Sequence, residues 1–409
     1  MNQQAAATLK AAGKIPGYAW VVLFAVYMAT MAAPLNQMKV PPVLTVLMDA
    51  FQMDYGRAGD LMSIFSILGF VLALPAGFIL LKIGIKKTGL IAVGALLIGT
   101  VLGALADTIF MLFAGRFIEG AGMGLLMVAA PAAISVWFPA AKRAMPMGLW
   151  ASCVGVGSIA ALNFAPVLEK AHGWQAVWWA GAIFAGVAFV LFAILFRMPK
   201  RDEINEPIED NRAKKADAPL PSLSKAMANP SLWMIAFAFG CFNLTVMAWS
   251  TFYPNFLEVV RGYTAAQAGF LTSLIMAVAI FSAPAGGYIS DRIGSRKKMI
   301  IIPFVALGLM FLFPFHLTGW GIPVLMLITG LLVGPIAPVC LAAVPEIMKA
   351  PQLIGIGMGV AALCQNLGMF IGPMIFGRLV ESTGWAMSGY LLIPLCAFAI
   401  IAAWKAKIR

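Results

Sequence analysis

Histidine is nearly absent from this chain of 409 residues, which has two, His172 and His316. Charge is scarce too, at 11% of residues, and Asp and Glu together number only 16. The five cysteines (Cys153, Cys241, Cys340, Cys364, Cys396) are isolated, each inside an apolar run. An odd set placed so excludes a disulfide framework and lacks metal-ligand spacing, so neither a metal nor a cofactor is expected. No cluster of His, Asp and Glu and no Ser–His pair shares one depth, which argues against an enzyme. What fills the chain is apolar: 62% hydrophobic residues and a mean hydropathy of +0.93 exclude a soluble globule.

Long apolar runs and their breakers predict an all-α membrane protein with twelve transmembrane helices. The spans are about 18–47, 58–81, 88–106, 109–138, 145–168, 174–196, 231–256, 264–290, 299–316, 320–346, 351–377 and 386–404. A charged, proline-rich stretch at 197–230 reads as a cytoplasmic linker between halves 1–196 and 231–409. Residues 1–14 are polar and Ala-rich, without the pattern of a signal peptide. A net charge of +12 would suggest nucleic acid for a soluble protein. Here 22 of the 28 Lys and Arg fall on one side if the N-terminus is inside, and Arg57, Lys170, Arg261 and Arg378 on the other. That bias makes both termini cytoplasmic in a bacterial-type inner or plasma membrane, with lipid and not nucleic acid as the partner. A monomer is expected.

The halves repeat. Gly77 and Gly84 lie 210 residues before Gly287 and Gly294, and Gly120 and Gly124 the same distance before Gly330 and Gly334. Gly173-Trp174 matches Gly384-Trp385 at an offset of 211. An internal duplication of two pseudo-symmetric six-helix halves is a transporter arrangement.

The run GYISDRIGSRK resembles the loop signature of the major facilitator superfamily, and RFIEGAGMG resembles that family's fourth-helix pattern. PLNQMKVPP in the first span, with PAG in the second, is similar to the cyanate/nitroimidazole-type anion porter branch. The resemblance covers essentially the whole chain. It implies alternating access, with substrate at mid-membrane among helices one, four, seven and ten. It also implies conformational latches at Gly77, Gly84 and Lys86 and at Gly287, Asp291, Arg292, Gly294 and Arg296. Leu81 departs from the pattern where the family has Asp, which weakens the first latch. The fifth span lacks the Gly-Pro pair of drug/proton antiporters, although Gly372-Pro373 appears in the eleventh.

The fourth span carries two charges, Arg116 and Glu119, three apart and so on one face. An ionisable group there costs roughly 2.5–3.5 kcal/mol on insertion. Two readings stand: a self-neutralising pair that locks the helix to a neighbour, or a substrate or proton site. Lys39 lies about 12 Å from the outer end of the first span and Arg116 about 10 Å, at about 1.5 Å per residue. Paired cations at one level suit a small anion, Arg gripping it bidentately and Lys as a point charge. Snorkelling of Lys39 to the outer interface is the alternative. Asn36 shares its face, Gln37 lies alongside, and Pro41-Pro42 break the helix just beyond, freeing backbone groups. Met326 and Thr329 repeat Arg116 and Glu119, so the second half offers only neutral groups: Asn243, Trp249 and Tyr253 in the seventh span, Gln365 and Asn366 in the eleventh. Glu119 is the only deep carboxylate of the first half and is assigned to proton coupling, since an anion at Arg116 would release it to take up a proton. Asp60, Glu258 and Glu346, near helix ends, are expected to be solvated.

Together these features predict a secondary active transporter of a small anion, a monocarboxylate or inorganic oxyanion, with proton symport and exchange both open. The alternative is a drug or amphipathic-cation efflux antiporter, which the excess of intramembrane cations disfavours. A sensor or scaffold on the same fold would carry an appended soluble domain, and the longest loop here is the linker.

Overall fold

A computed structural model of the chain describes residues 15–73, 75–139, 142–199, 228–348 and 351–408, all of it helix, turn or loop. The basic N-terminal residues, most of the expected linker, Lys349 and Arg409 lie outside the described residues. The first half comprises α1 (Gly17–Met38), α2 (Leu44–Phe51), α3 (Tyr55–Leu72), α4 (Pro75–Ile83), α5 (Ile85–Ala104), α6 (Ile109–Trp137), α7 (Ala144–His172) and α8 (Trp174–Leu195). The second comprises α9 (Pro230–Val259), α10 (Ala265–Ile293), α11 (Arg296–Met310), α12 (Gly321–Met348), α13 (Pro351–Tyr390) and α14 (Ile393–Lys405).

Among the described residues, ten helical segments are long and apolar enough to cross a membrane, the first of them running from α1 through α2. The ninth and twelfth expected spans are helical but shorter, 15 residues in α11 and 13 in α14. Turns follow Met310, and a turn at Leu391 and Leu392 separates α14 from the end of α13. Proline explains a further interruption. Pro41-Pro42 replace helix with a 3-10 turn between α1 and α2.

The duplication is written into the backbone. Gly84 and Gly294 both have positive φ, 83° and 70°, as do Gly173 and Gly384 at 81° and 79°. Gln52, the one non-glycine with positive φ among the described residues, repeats as Gly262. Asp54 caps α3 by accepting from the Arg57 amide, and its repeat Thr264 caps α10 through Gln267. A Cβ on Gly120 would strike the Phe65 carbonyl, and one on Gly330 would lie 2.7 Å from that of Ile275. Each is 210 residues from its partner, so the helix-to-helix approach is itself duplicated.

One end of the bundle carries Tyr18, Leu195, Ser231 and Lys407, joined by the bonds of Tyr18 to the Leu195 carbonyl and of the Lys407 amide to Ser231. At the opposite end the halves meet. Arg378 of α13 donates twice to Asp60 of α3, at 2.8 Å each, and Thr45 of α2 bonds Asn255 and Glu258 of α9. Tyr55 stacks edge-on against Trp385, and Gly377 abuts the Tyr55 carbonyl. One continuous apolar core follows this contact from Met38, Val43 and Leu47 into the second half, whereas a separate one around Val22, Leu96, Leu126 and Phe192 stays within the first. At the terminal end Gly77, Gly84, Gly287 and Gly294 face open space. The molecule is closed at the face opposite the termini.

Candidate functional site

Proline at 41 and 42 removes the amides that would pair with the carbonyls of Gln37 and Met38, so α1 ends with unsatisfied acceptors. Arg116 supplies donors. Its NH1 donates to the Asn36 carbonyl at 2.7 Å and to Glu119 Oε2 at 2.7 Å, and NH2 lies 3.4 Å from the Gln37 carbonyl. The guanidinium lies over the Phe65 ring at 4.5 Å. The arginine of the fourth span is thus the C-terminal cap of the first.

Glu119 stands between both cations. Lys39 Nζ donates to Glu119 Oε1 and to Asn36 Oδ1, at 2.8 Å each, and lies 4.6 Å from the Trp178 ring centroid. Thr100 completes the cluster, its hydroxyl 2.8 Å from Glu119 Oε1 and 3.1 Å from Asn36 Oδ1. Three elements, α1, α5 and α6, therefore meet at one carboxylate, and rings from α3 and α8 cover its two cations. The expected meeting of Lys39, Arg116, Glu119 and Asn36 occurs, and Lys39 does not snorkel: it is 1% exposed, with Arg116 and Glu119 at 0%. What differs is access. The cluster is sealed inside the first half, and Gln37 contributes its backbone carbonyl. Sequence reasoning missed Thr100, a hydroxyl amid the apolar third span, and Phe65 and Trp178, whose ring faces take the cations.

The repeat positions of this cluster are apolar or neutral: Trp249 for Lys39, Met326 for Arg116 and Thr329 for Glu119. Trp249, like Lys39, turns into its own half, 5.8 Å from Phe311 and 5.1 Å from Tyr253, whose hydroxyl donates to the Pro314 carbonyl at 3.1 Å. Both rings pack among aromatic neighbours, and the Trp249 indole nitrogen is buried without a hydrogen-bond partner. Asn243, Gln365 and Asn366 stay half-buried. The side-chain oxygen Oδ1 of Asn366 comes within 2.4 Å of where a Cβ on Gly69 of α3 would fall, at the meeting of the halves.

At the terminal end Arg296 bonds Asp291 at 2.8 Å and Glu346 at 3.0 Å, tying the α10–α11 turn to the end of α12. Arg292 remains exposed. In the first half Leu81 is 71% exposed and gives Lys86 no carboxylate. Two of the carboxylates expected to be solvated are therefore ion-paired, Asp60 with Arg378 and Glu346 with Arg296, and Glu258 is half-buried on Thr45. The two histidines lie at helix ends, His316 bonded to the Tyr390 hydroxyl at 2.7 Å and His172 exposed.

Known proteins place this arrangement. A probable sulfoacetate transporter of Cupriavidus necator is 24% identical over 391 residues, covering 88% of each chain. A nitrite extrusion protein of Bacillus subtilis is 26% identical over 347 residues, 83% of this chain and 82% of that one. The fold matches a bacterial homologue of the human lysosomal transporter Spinster, described as inward-facing and unoccupied, with a TM-score of 0.75 at 17% identity over 96% of this chain and 98% of the other. The family model of the Major Facilitator Superfamily matches residues 19–346 and 261–408. A duplicated helical bundle with ten membrane-length helices, matched to that model along almost its whole length, belongs to the major facilitator superfamily of transporters.

Proposed function

We propose that the protein is a secondary active transporter of a small anion, a monocarboxylate or inorganic oxyanion, working by alternating access in the inner or plasma membrane. The observation that carries this is the charge of the buried cluster: two cations against one carboxylate leave a positive excess deep in the first half. A membrane-embedded charge of one sign attracts the other. Relatives named for sulfoacetate and nitrite transport support the same class.

Arg116 is committed to the end of α1, so Lys39 is the cation we assign to exchange partners. An anion arriving as α1 shifts about Pro41-Pro42 competes with Glu119 for the Lys39 ammonium. Glu119, released, takes up a proton, which couples substrate to the proton gradient without a histidine. Asn243, Gln365 and Asn366 are assigned to the second half's side of the path. The Asp291–Arg296–Glu346 network, with Gly287 and Gly294, is assigned as the latch at the terminal face, and the bias of basic residues makes that face cytoplasmic.

The test is uptake into proteoliposomes with and without an imposed pH difference, alongside counterflow at equal pH. Glu119→Gln is expected to retain counterflow and to lose gradient-driven accumulation. Accumulation by that variant equal to wild type would move proton coupling elsewhere. A wild type that ignores the gradient would make the protein an exchanger.

A further inference from the structure

A second polar cluster lies where the halves meet, at the face opposite the termini. Asn255 and Glu258 share a face near the end of α9, and Thr45 stands in the first turn of α2. Asn255 Nδ2 donates to Thr45 Oγ1 at 2.8 Å, and the Thr45 hydroxyl donates to Glu258 Oε2 at 2.9 Å. The chain of donors runs from the second half into the first and back to the carboxylate. Two acceptors are left over: among the described residues, Asn255 Oδ1 and Glu258 Oε1 are buried without a hydrogen-bond partner. Asn255 is 1% exposed.

No described cation compensates Glu258. Arg261, three residues on, turns its guanidinium to the Phe315 carbonyl at 2.8 Å and the Phe256 ring. From α7, Glu169 adds a second negative charge that acts on Glu258, and Asp49, one turn beyond Thr45 on α2, is exposed. The site is thus rich in oxygen acceptors, negative and short of donors. Hard cations take oxygen ligands, and divalent ones take six or more; a single carboxylate with an amide and a hydroxyl oxygen fits a monovalent ion.

We propose that Thr45, Asn255 and Glu258 form a binding site for a small hard monovalent cation, a proton or Na+, assembled only while this face is closed. Thr45 comes from one half and the other two ligands from its partner, so opening the face takes the site apart. A ligand that binds one of two states shifts the balance toward it by its differential affinity. The cation would then hold the transporter closed on this side, a function separate from that of Glu119.

The experiment is thermal unfolding of the full chain without anion substrate. Na+ is titrated against choline at constant ionic strength and alkaline pH, and pH is lowered separately in choline alone. In wild type, one of the two cations should raise the unfolding temperature, by equal steps per tenfold rise in free concentration once binding saturates. Glu258→Gln should abolish that response and Thr45→Val should weaken it. A response to Na+ identifies sodium, and one to acid alone identifies the proton. An unresponsive wild type, or one matched by both Glu258→Gln and Thr45→Val, would overturn the proposal. If Glu258→Gln does not fold, Thr45→Val decides.

Discussion

At the scale of single residues, Arg116 holds most of the cluster's geometry. Its NH1 donates to both the Asn36 carbonyl and Glu119 while NH2 reaches the Gln37 carbonyl, a spread over two nitrogens of one planar group that no single ammonium reproduces. Arg116→Lys keeps the charge but should lose the cap on α1. With hydrogen bonds to charged groups contributing about 1.5–3 kcal/mol each, the unfolding temperature is expected to fall by several degrees and anion binding to be largely lost. Unchanged thermal stability in that variant would mean that α1 does not depend on its cap. Lys39, Arg116 and Glu119 could be singled out from the sequence because a charge in an apolar run is conspicuous. Their partners could not: Thr100 looks like any hydroxyl in a helix, and Phe65 and Trp178 like any buried ring. Whether the cluster is open or sealed depends on how five elements close around it, which no local pattern encodes.

At the scale of elements, the close crossings of α3 with α6 and of α10 with α12 rest on glycine. Added at Gly120, a methyl group would collide with the Phe65 backbone, which cannot swing aside as a side chain can. Overpacking of this kind costs roughly 1–3 kcal/mol. Gly120→Ala and its repeat Gly330→Ala should both lower the unfolding temperature, whereas Gly148→Ala, which meets nothing within 4 Å, should leave it level or raise it slightly. Equal behaviour of all three would contradict the duplicated crossing. The duplication was legible because these glycines recur at a constant interval. The lengths of the ninth and twelfth helices were less so, since hydropathy runs on through Phe311, Phe313 and Leu391 after the backbone has turned.

At the scale of the whole molecule, the distribution of basic residues makes a statement about sidedness. Cysteine in place of Lys170, in the last turn of α7, should react with a membrane-impermeant thiol reagent only from outside intact cells. Cysteine in place of Lys82, at the end of α4, should react only after the inner face is exposed. The reverse pattern would invert the orientation. The two halves share one plan yet differ in electrical content: where one buries Lys39, Arg116 and Glu119, the other buries Trp249, Met326 and Thr329. A rocking motion that displaces the halves oppositely therefore moves one net charge along the membrane normal with no counter-movement from its twin. Each elementary charge crossing the full membrane potential exchanges about 2.3 kcal/mol per 100 mV. The resting voltage of the cell then acts on the empty carrier itself, favouring whichever orientation brings the cluster nearer the negative side.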